Sequence, residues 1–497
     1  MKKVIVAALG VFLIAIAGGG TWLFLEFRAA KVDTVGKVDF DRPLAIPPIA
    51  SSTVDSDGTR VFDLSIQKGT TDLGKSHPTR TWGINGSFLG PTLRATQGEK
   101  VRIEATNKVG QATTLHWHGM HLPAVMDGGP HQMIEPDATW KPHWTIKQPA
   151  ATLWYHPHLH GETASHVYRG LAGLFILDDP QEAGLDLPRT YGVDDLPVIV
   201  QDKKFDGDGQ IDDGHSIFSN LGVLGDEILV NGTPGPYVEV TTEAVRMRLL
   251  NGSVGRTFNF TFDDARRFDL IATDGGLLEG PVSMDRLQLA PGERAEIVVR
   301  FAPGEQAVLR SEKLDGDTNR FSGSDSRFDV LQVRAAEALS PSRRVPSTLA
   351  AIDRLDPDDV AETRSFDLQN FAINGREMDM SRIDFAATVG TSEIWDVTNT
   401  DGGVHHSFHV HDVQFQILDI DGEPPPPHLA GWKDTIWLPG GETYRLIMRF
   451  EDYADPDMPY MFHCHMLRHE DQGMMGQFVV VEPGQSAGSI DTDHHDH

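Results

Sequence analysis

The sequence predicts an all-β protein of about three domains. Its 497 residues allow three domains at the usual ~150 residues each. Short segments alternate apolar and polar residues, as in KVRIEA at 100–105, VRMRLL at 245–250 and EIWDV at 393–397, and this alternation is typical of strands with one buried face. The 49 glycines and 30 prolines supply turns between them. Long helical patterns are scarce after the N-terminus, so strands should dominate.

One hydrophobic helix is expected to precede these domains. Residues 4–27 are almost uninterruptedly apolar and follow Lys2 and Lys3. About 20 apolar residues cross a bilayer as a helix, whereas the core of a removable signal peptide is usually ~7–15 residues long. No convincing small-residue cleavage site follows the run. We therefore expect residues 1–30 to hold an uncleaved membrane anchor, with a cleaved signal peptide as the alternative.

The two lysines also predict a location. Positive residues before a membrane segment favour the cytoplasmic side, so the rest of the chain would lie on the periplasmic or extracellular face of the cytoplasmic membrane. No twin-arginine pair precedes the apolar run, so export in a folded state is not supported.

Composition suggests where the domains end. The segments DDPQEAG at 178–184 and SPSRRVP at 340–346 interrupt strand-like runs. We predict a first domain at 45–185, a second at 190–345 and a third at 360–484, followed by an acidic and histidine-rich tail at 485–497.

The chemistry is concentrated in four histidine motifs. The only cysteine, Cys464, excludes an internal disulfide framework and a cysteine-rich zinc or iron–sulfur site. A thiolate, imidazoles and a weak thioether instead suit a blue-copper centre. The motifs are H-W-H-G from His116, H-P-H from His156, H-S-F-H-V-H from His406, and H-C-H from His463 with His469 and Met474 after it.

Each motif contains a pair of histidines two residues apart. Residues i and i+2 of a strand project to the same face, so each pair presents two nitrogens to one cluster. Four pairs give eight imidazoles, which suit three copper ions with open positions for a small molecule. Four further side chains remain for a separate fourth copper: His406, Cys464, His469 and Met474.

These motifs, in this order, resemble those of the multicopper oxidase family. The resemblance spans residues 62–482, and the segments QDKKF at 201–205 and HEDQGMM at 469–475 are similar to the bacterial cuprous oxidase and bilirubin-oxidase-like branch. It implies three cupredoxin-like Greek-key β-sandwich domains, the second without a copper motif. The histidine cluster would then lie between the first and third domains.

The resemblance also implies four copper ions with defined ligands. The type 1 copper would take His406, Cys464, His469 and Met474, with Met475 as axial ligand only if the register slips by one residue. The type 2 copper would take His116 and His409. The type 3 pair would take six imidazoles: His118, His156, His158, His411, His463 and His465.

Two carboxylates match the family pattern for proton transfer, Asp127 near the type 2 ligands and Glu470 beside the type 3 ligands. Electrons would enter at the exposed edge of His406 or His469 and pass from Cys464 to its bonded neighbours. The alternatives are an Asp that caps a glycine turn and a Glu on the rim of the site.

Other histidines near the motifs are expected to hydrogen-bond to ligands or to be exposed, because ligating imidazoles need partners that fix their tautomer. They are His121, His131, His143, His160, His166, His405 and His428. The terminal DHHDH is expected to be a solvated tail.

The net charge of −29 excludes nucleic acid as a partner, because two polyanions repel. Dioxygen and a small electron donor are the expected partners. Solubility alone explains such a charge, although it would also attract metal cations.

The donor is expected to be a phenol or aryl amine, with Cu(I) as a secondary donor. Cuprous oxidases of the family carry a methionine-rich insert, but this chain has 14 methionines and only Met378 and Met380 form a close pair in the third domain. Gly402 and Val404 stand where a Cu(I)-oxidising relative would place Asp and Met. Dedicated cuprous oxidation is the alternative.

A non-catalytic copper-binding or structural relative is the alternative of another class. Such relatives usually lack ligands, whereas all twelve predicted positions here carry suitable residues. The sequence therefore favours an oxidase.

Overall fold

The computed structural model describes residues 31–214, 219–316 and 320–490. The predicted hydrophobic helix and anchor lie outside the described residues, as do residues 491–497 of the predicted tail. Within the described ranges, no helix has the length and apolar character needed to cross a bilayer.

The N-terminal sandwich has a six-stranded sheet facing a three-stranded one. In β6 every second residue is buried, including Val101, Ile103 and Ala105, as the alternating sequence predicts. Its elements are β1 (Arg42–Pro43), β2 (Thr53–Val54), β3 (Arg60–Thr71), β4 (Thr79–Ile84), β5 (Leu93–Thr96), β6 (Lys100–Lys108), a 3-10 turn (Ala124–Met126), β7 (Thr139–Trp140), β8 (His143–Thr145), β9 (Ala151–Tyr155), α1 (Thr163–Tyr168), β10 (Gly173–Asp178) and α2 (Pro180–Ala183). The large sheet has the order β2-β3-β6-β7 with β4 on β3 and β8 on β6, and the small one β5-β10-β9; β1 joins the next sandwich.

The middle sandwich packs two larger sheets around its own core of valine, leucine and phenylalanine side chains. Its elements are β11 (Asp195–Lys203), β12 (Glu227–Val230), β13 (Thr233–Pro234), β14 (Pro236–Thr242), β15 (Ala244–Asn251), β16 (Phe258–Phe262), β17 (Phe268–Thr273), β18 (Gly276–Met284), β19 (Arg286–Leu289), β20 (Arg294–Arg300), β21 (Gln306–Ser311), a 3-10 turn (Arg320–Ser322) and β22 (Phe328–Ser340). The sheet orders are β1-β14-β22-β21-β16-β19 and β13-β12-β11-β15-β20-β17-β18.

The C-terminal sandwich has two five-stranded sheets. Its elements are β23 (Glu362–Gln369), β24 (Ala372–Ile373), β25 (Phe385–Thr388), β26 (Thr391–Asn399), β27 (His406–Val410), β28 (Phe415–Ile420), a 3-10 turn (Pro427–Leu429), β29 (Thr435–Leu438), β30 (Thr443–Phe450), β31 (Asp455–Cys464), α3 (Leu467–Asp471) and β32 (Met475–Val481). The sheet orders are β24-β23-β26-β30-β28 and β25-β32-β31-β27-β29.

Strand pairing brings the histidine motifs together two at a time. In the C-terminal sandwich β27 pairs with β31, so that His409 lies opposite His463 and Phe408 opposite Cys464. In the N-terminal sandwich His116 and His156 form an isolated antiparallel bridge. Each of these sandwiches therefore presents two motifs side by side.

Aromatic packing anchors the core behind the C-terminal motifs. Trp395 is fully buried, with its ring centroid 4.7 Å from that of Phe366 and 5.7 Å from that of Phe478. We expect Trp395→Ala to lower the free energy of unfolding by about 3–5 kcal/mol, because the substitution leaves a large cavity. Urea denaturation followed by far-ultraviolet circular dichroism measures the change.

The matched control is Val54→Ala, at a side chain that is 63% exposed, which should alter stability by no more than about 0.5 kcal/mol. Equal, small losses in both variants would contradict this account of the core.

Candidate metal centre

Strand geometry divides the third and fourth motifs between two sites. Along β27 and the residue that follows it, His406 and Phe408 share one face while His409 and His411 share the other, because successive side chains alternate. Cys464 and Phe408 belong to the same core cluster, whereas His463 and His465 flank the cysteine and project away from it. The pair of strands β27 and β31 therefore contributes metal-binding side chains to an inner set within the sandwich and to an outer set on its surface.

The inner set is three donor atoms in a near-equilateral triangle. Cys464 Sγ lies 3.5 Å from His406 Nδ1 and 3.5 Å from His469 Nδ1, and the two nitrogens are 3.1 Å apart. Ligand atoms that each lie about 2.0–2.3 Å from one tetrahedral ion are separated by similar distances. All three side chains are buried, so the triangle can hold one soft or borderline cation.

Hydrogen bonds turn both imidazoles toward that cation position. His406 Nε2 donates to Asp401 Oδ2 at 3.1 Å, and His469 Nε2 donates to the carbonyl of Asn220 at 3.0 Å. Because each Nε2 carries the proton, each Nδ1 keeps its lone pair for a metal.

Met474 lies beside this triangle. It is fully buried in the same core cluster as Cys464, and its carbonyl accepts a hydrogen bond from the Cys464 N–H at 3.0 Å. Met475 is opposite His463 in the pairing of β31 with β32. The two methionines therefore have different surroundings: Met474 belongs to the core cluster that contains Cys464, and Met475 does not.

The outer set contains eight buried imidazoles from the two terminal sandwiches. His463 Nε2 lies 3.1 Å from His158 Nε2 and 3.2 Å from His411 Nε2. A second group forms around His156 Nε2, which is 3.4 Å from both His118 Nδ1 and His465 Nε2. The nitrogens of the first group lie close enough together to hold one ion, and the second group is arranged around His156 Nε2. Each group mixes ligands from both sandwiches.

The remaining two imidazoles have an unsatisfied nitrogen. His116 Nε2 and His409 Nε2 are buried and contact no hydrogen-bond partner. Such atoms cost free energy unless something binds them. The His116 ring stacks on that of His411 with centroids 3.8 Å apart, and the His409 ring stacks on that of His118 at 3.7 Å. The donor chemistry and the unsatisfied nitrogens both fit metal ions.

Burial sets the protonation of these groups. It lowers the pKa of His463 to about 3, and desolvation also lowers the pKa of seven more imidazoles: His118, His156, His158, His409, His411, His465 and His469. These rings are therefore neutral, the form that binds metal. Burial raises the pKa of the Cys464 thiol to about 12, so a thiolate there needs a cation close to Sγ.

Both predicted carboxylates lie against the outer set. Asp127 Oδ2 accepts from His411 Nδ1 at 2.7 Å, and the Asp127 carbonyl accepts from His116 Nδ1 at 2.9 Å. The Glu470 oxygens lie 3.4 Å from His158 Nδ1 and 3.2 Å from His463 Nδ1. Burial, with Asp471 next to it, raises the pKa of Glu470 well above its usual range.

Comparison with known proteins identifies the family. Three family models described as multicopper oxidase match residues 65–182, 208–310 and 349–484. A multicopper oxidase of Staphylococcus haemolyticus is 36% identical over 441 residues, which are 88% of this chain and 92% of that protein. The chain belongs to the multicopper oxidase family.

Other relatives of this multicopper oxidase bear different names. The cell division protein FtsP of Sodalis glossinidius is 36% identical over 446 residues, covering 88% of this chain and 92% of that protein. The crystal structure of a laccase-like multicopper oxidase from an Ochrobactrum species is 35% identical with a TM-score of 0.80, covering 88% of this chain and all (100%) of that one. These matches confirm the predicted family, the three cupredoxin-like sandwiches and an oxidase that uses copper.

The motifs did not reveal the groups that orient the ligands. Asp434 Oδ1 lies 3.2 Å from His118 Nε2, and Arg294 of the middle sandwich grips the same carboxylate. Asn220 and Asp401 hold the inner imidazoles. The sequence held a signal for Asp401, because this acid stands next to Gly402, the position at which a Cu(I)-oxidising relative would place an aspartate.

Several histidines outside the motifs contact other polar groups. His121 lies between two aspartates, with Nδ1 2.8 Å from Asp412 Oδ1 and Nε2 2.7 Å from Asp452 Oδ1. His131 Nε2 lies 2.8 Å from Gln477 Oε1, and His166 contacts Gln111. Among the described residues, the clusters able to hold a metal contain none of the seven histidines that the sequence set aside.

The Cys464 thiol should be inert in the folded, copper-free chain. A pKa of about 12 leaves roughly one thiol in 10⁴ ionised at pH 8, and burial blocks the approach of a reagent. We expect negligible reaction with a disulfide reagent over the time in which the unfolded chain releases one thiol.

Protein unfolded in guanidinium gives the reference signal of one labelled thiol per chain, because the chain has one cysteine. Rapid labelling of the folded chain would show that the thiol is accessible and would contradict the buried triangle.

Proposed function

We propose that this multicopper oxidase is laccase-like and couples one-electron oxidation of phenols or aryl amines to the four-electron reduction of dioxygen to water. The observation that carries the proposal is that two complete donor sets are joined by one tripeptide, His463-Cys464-His465. A chain with either set alone could bind copper but could not move electrons between two sites.

In the arrangement expected from the family, these residues would hold four copper ions. His406, Cys464, His469 and Met474 would hold the type 1 copper, and His116 and His409 the type 2 copper. Bound copper would take single electrons from the donor at the first site and deliver four to dioxygen at the other three. Two groups of imidazoles would hold the type 3 pair: His118, His156 and His465, and His158, His411 and His463.

Asp401 gives the donor an access point. Its side chain is 19% exposed, and its carboxylate accepts the Nε2–H of the buried His406. A phenol or amine that loses an electron becomes strongly acidic, so a carboxylate at the surface can accept its proton. His406 and His469 are both fully buried, so neither has the exposed edge that the sequence predicts. The Nε2 of His469 contacts the main-chain carbonyl of Asn220, which cannot take up a proton as a carboxylate can.

The chain also has groups to supply protons where dioxygen is reduced. Asp127 Oδ1 is buried without a hydrogen-bond partner, 3.4 Å from His116 Nδ1, while its Oδ2 accepts from His411. Glu470 faces two imidazoles and is followed by Asp471, which is half-buried and accepts the backbone N–H groups of Thr163 and Ala164. The two carboxylates therefore contact different imidazoles of the outer set.

Cu(I) oxidation is the second candidate. The Met378 N–H donates to the Gly473 carbonyl at 2.9 Å, so the Met378 and Met380 segment packs on the loop that carries Met474. Both methionines are half-buried. Phenolic donors remain favoured because two thioethers make a small Cu(I) site, and because the Ochrobactrum relative is described as active toward lignin model compounds.

The N-terminal sequence supports a location outside the cytoplasm. We propose that the oxidase lies on the periplasmic or extracellular face of the cytoplasmic membrane and that residues 4–27 anchor it there. The apolar run that follows Lys2 and Lys3 favours this orientation.

The proposed reaction can be tested by dioxygen uptake. Copper-loaded protein should consume dioxygen faster with 2,6-dimethoxyphenol than with Cu(I) at equal concentrations. Cys464→Ser should abolish the blue absorption and uptake with either donor while leaving the fold intact, because a hydroxyl is a poor copper ligand. Faster uptake with Cu(I) would reverse the order of the two donors, and turnover by Cys464→Ser would overturn the entry site.

Asp127→Asn separates the two halves of the reaction. We expect dioxygen reduction to slow by about 100-fold or more, because loss of a positioned acid or base typically costs that much. Bleaching of the blue band by the donor under argon should be almost unchanged, since the inner set does not contact Asp127. Stopped-flow absorbance records both rates, and slow bleaching with normal reoxidation would argue against proton transfer at Asp127.

A further inference from the structure

One arginine of the middle sandwich extends to the outer histidine cluster. Arg294, at the start of β20, is fully buried. Its guanidinium makes a two-pronged contact with Asp434 of the C-terminal sandwich, Nη1 to Oδ1 at 2.7 Å and Nη2 to Oδ2 at 2.6 Å. A planar fork of this kind fixes the orientation of a carboxylate as well as its charge.

Asp434 in turn contacts ligands of two different predicted copper sites. Its Oδ1 accepts from His118 Nε2 at 3.2 Å, and its carbonyl accepts from His409 Nδ1 at 2.8 Å. The Thr435 hydroxyl lies 3.1 Å from His118 Nε2 and 3.2 Å from His409 Nδ1. Movement of Asp434 would therefore turn both rings.

The guanidinium is fixed from all sides. Arg294 Nε donates to the Thr152 carbonyl at 3.0 Å in the N-terminal sandwich, and Nη1 donates to the Gly292 carbonyl at 3.0 Å. Nη2 also donates to the Asp274 carbonyl at 3.2 Å. One side chain thus contacts all three sandwiches at the point where their surfaces meet.

Gly119 leaves room for this pair. A Cβ on Gly119 would lie 2.5 Å from Asp434 Oδ2 and 2.6 Å from Arg294 Nη2, and its φ of +84° is in the left-handed region. The glycine that ends the first motif is thus explained by the close approach of the Arg294–Asp434 pair to the residue after His118.

We propose that Arg294 is a positioning residue for the three-copper site, acting through Asp434 to hold His118 and His409 in one orientation. The inference rests on the proposed function, because it assigns those imidazoles to copper. The middle sandwich carries no copper motif, yet it sets the geometry of two ligands. Removing such an outer partner typically weakens metal affinity by 10–100-fold.

The test uses full-length protein loaded with four equivalents of copper. Arg294→Lys keeps the positive charge and removes the two-pronged contact. A competing chelator should therefore remove type 2 copper from this variant at a concentration about 10–100-fold lower than from the wild type. Electron paramagnetic resonance of the type 2 signal and the blue absorption of the type 1 site are followed in the same samples. The blue absorption should keep its wild-type chelator dependence.

Arg248→Lys is the matched control. Arg248 is also fully buried, and it donates from Nε to Asp195 Oδ1 at 2.7 Å and from Nη2 to Asp195 Oδ2 at 3.0 Å. The Asp195 carboxylate, however, does not contact a predicted ligand histidine. We expect the control to lose stability without a selective loss of type 2 copper. If both variants lose the type 2 signal alike, Arg294 is structural only and the inference fails.

A second variant keeps the test valid if Arg294→Lys fails to fold. Asp434→Asn keeps the size and the main-chain carbonyl but removes the charge that the fork holds, and it should reproduce the selective type 2 loss. Wild-type affinity in either folded variant would overturn the inference. Failure of the proposed function looks different, because wild-type protein itself would then lack one of the two signals.

Discussion

Burial of uncharged imidazoles is the constraint on which the site depends. A buried ring cannot leave a nitrogen unsatisfied without a cost in free energy, and a metal can satisfy only one of its two nitrogens. The other must find an acceptor. Main-chain carbonyls fill much of this need, with Asp127 serving His116, Pro157 serving His156, and Asp434 serving His409. Since these acceptors are backbone atoms, the fold itself selects which nitrogen faces the cluster.

The same constraint explains how one short segment belongs to two sites. Cys464 of β31 and Phe408 of β27 lie in the same core cluster, while the His463 ring lies in the cluster between the sandwiches. The covalent path between the sites is then only a few bonds long. Since β27 pairs with β31, a one-residue slip would move the thiol into the outer cluster and an imidazole into the core. Register is thus tied to function as well as to hydrophobic burial.

Local sequence was sufficient where a motif carries its own geometry. Alternation predicted the strands, and pairs such as His409 and His411 predicted which rings share a face. Partners from distant segments left no comparable signal, because nothing near Arg294 or Asp434 in sequence marks them as neighbours of His118. Asn220 contributes a carbonyl, which every residue has. The role of Asp401 was not predicted from the sequence, because it depends on the turn at 399–403, which brings this carboxylate to His406 Nε2.

The charges buried between the middle and C-terminal sandwiches bear on specificity more than on stability. Lys433 Nζ lies 2.8 Å from Asp274 Oδ2 and 3.0 Å from Glu293 Oε1, next to Arg294 and its partner. Well-packed apolar side chains could stabilise this interface as well, because desolvation offsets most of the attraction within a buried ion pair. An apolar interface, however, tolerates small rotations that a network of paired charges does not. Ligand nitrogens from two sandwiches must lie within about 3–4 Å of one another. Paired charges that fix the angle between the sandwiches maintain this geometry, although burying them costs desolvation free energy.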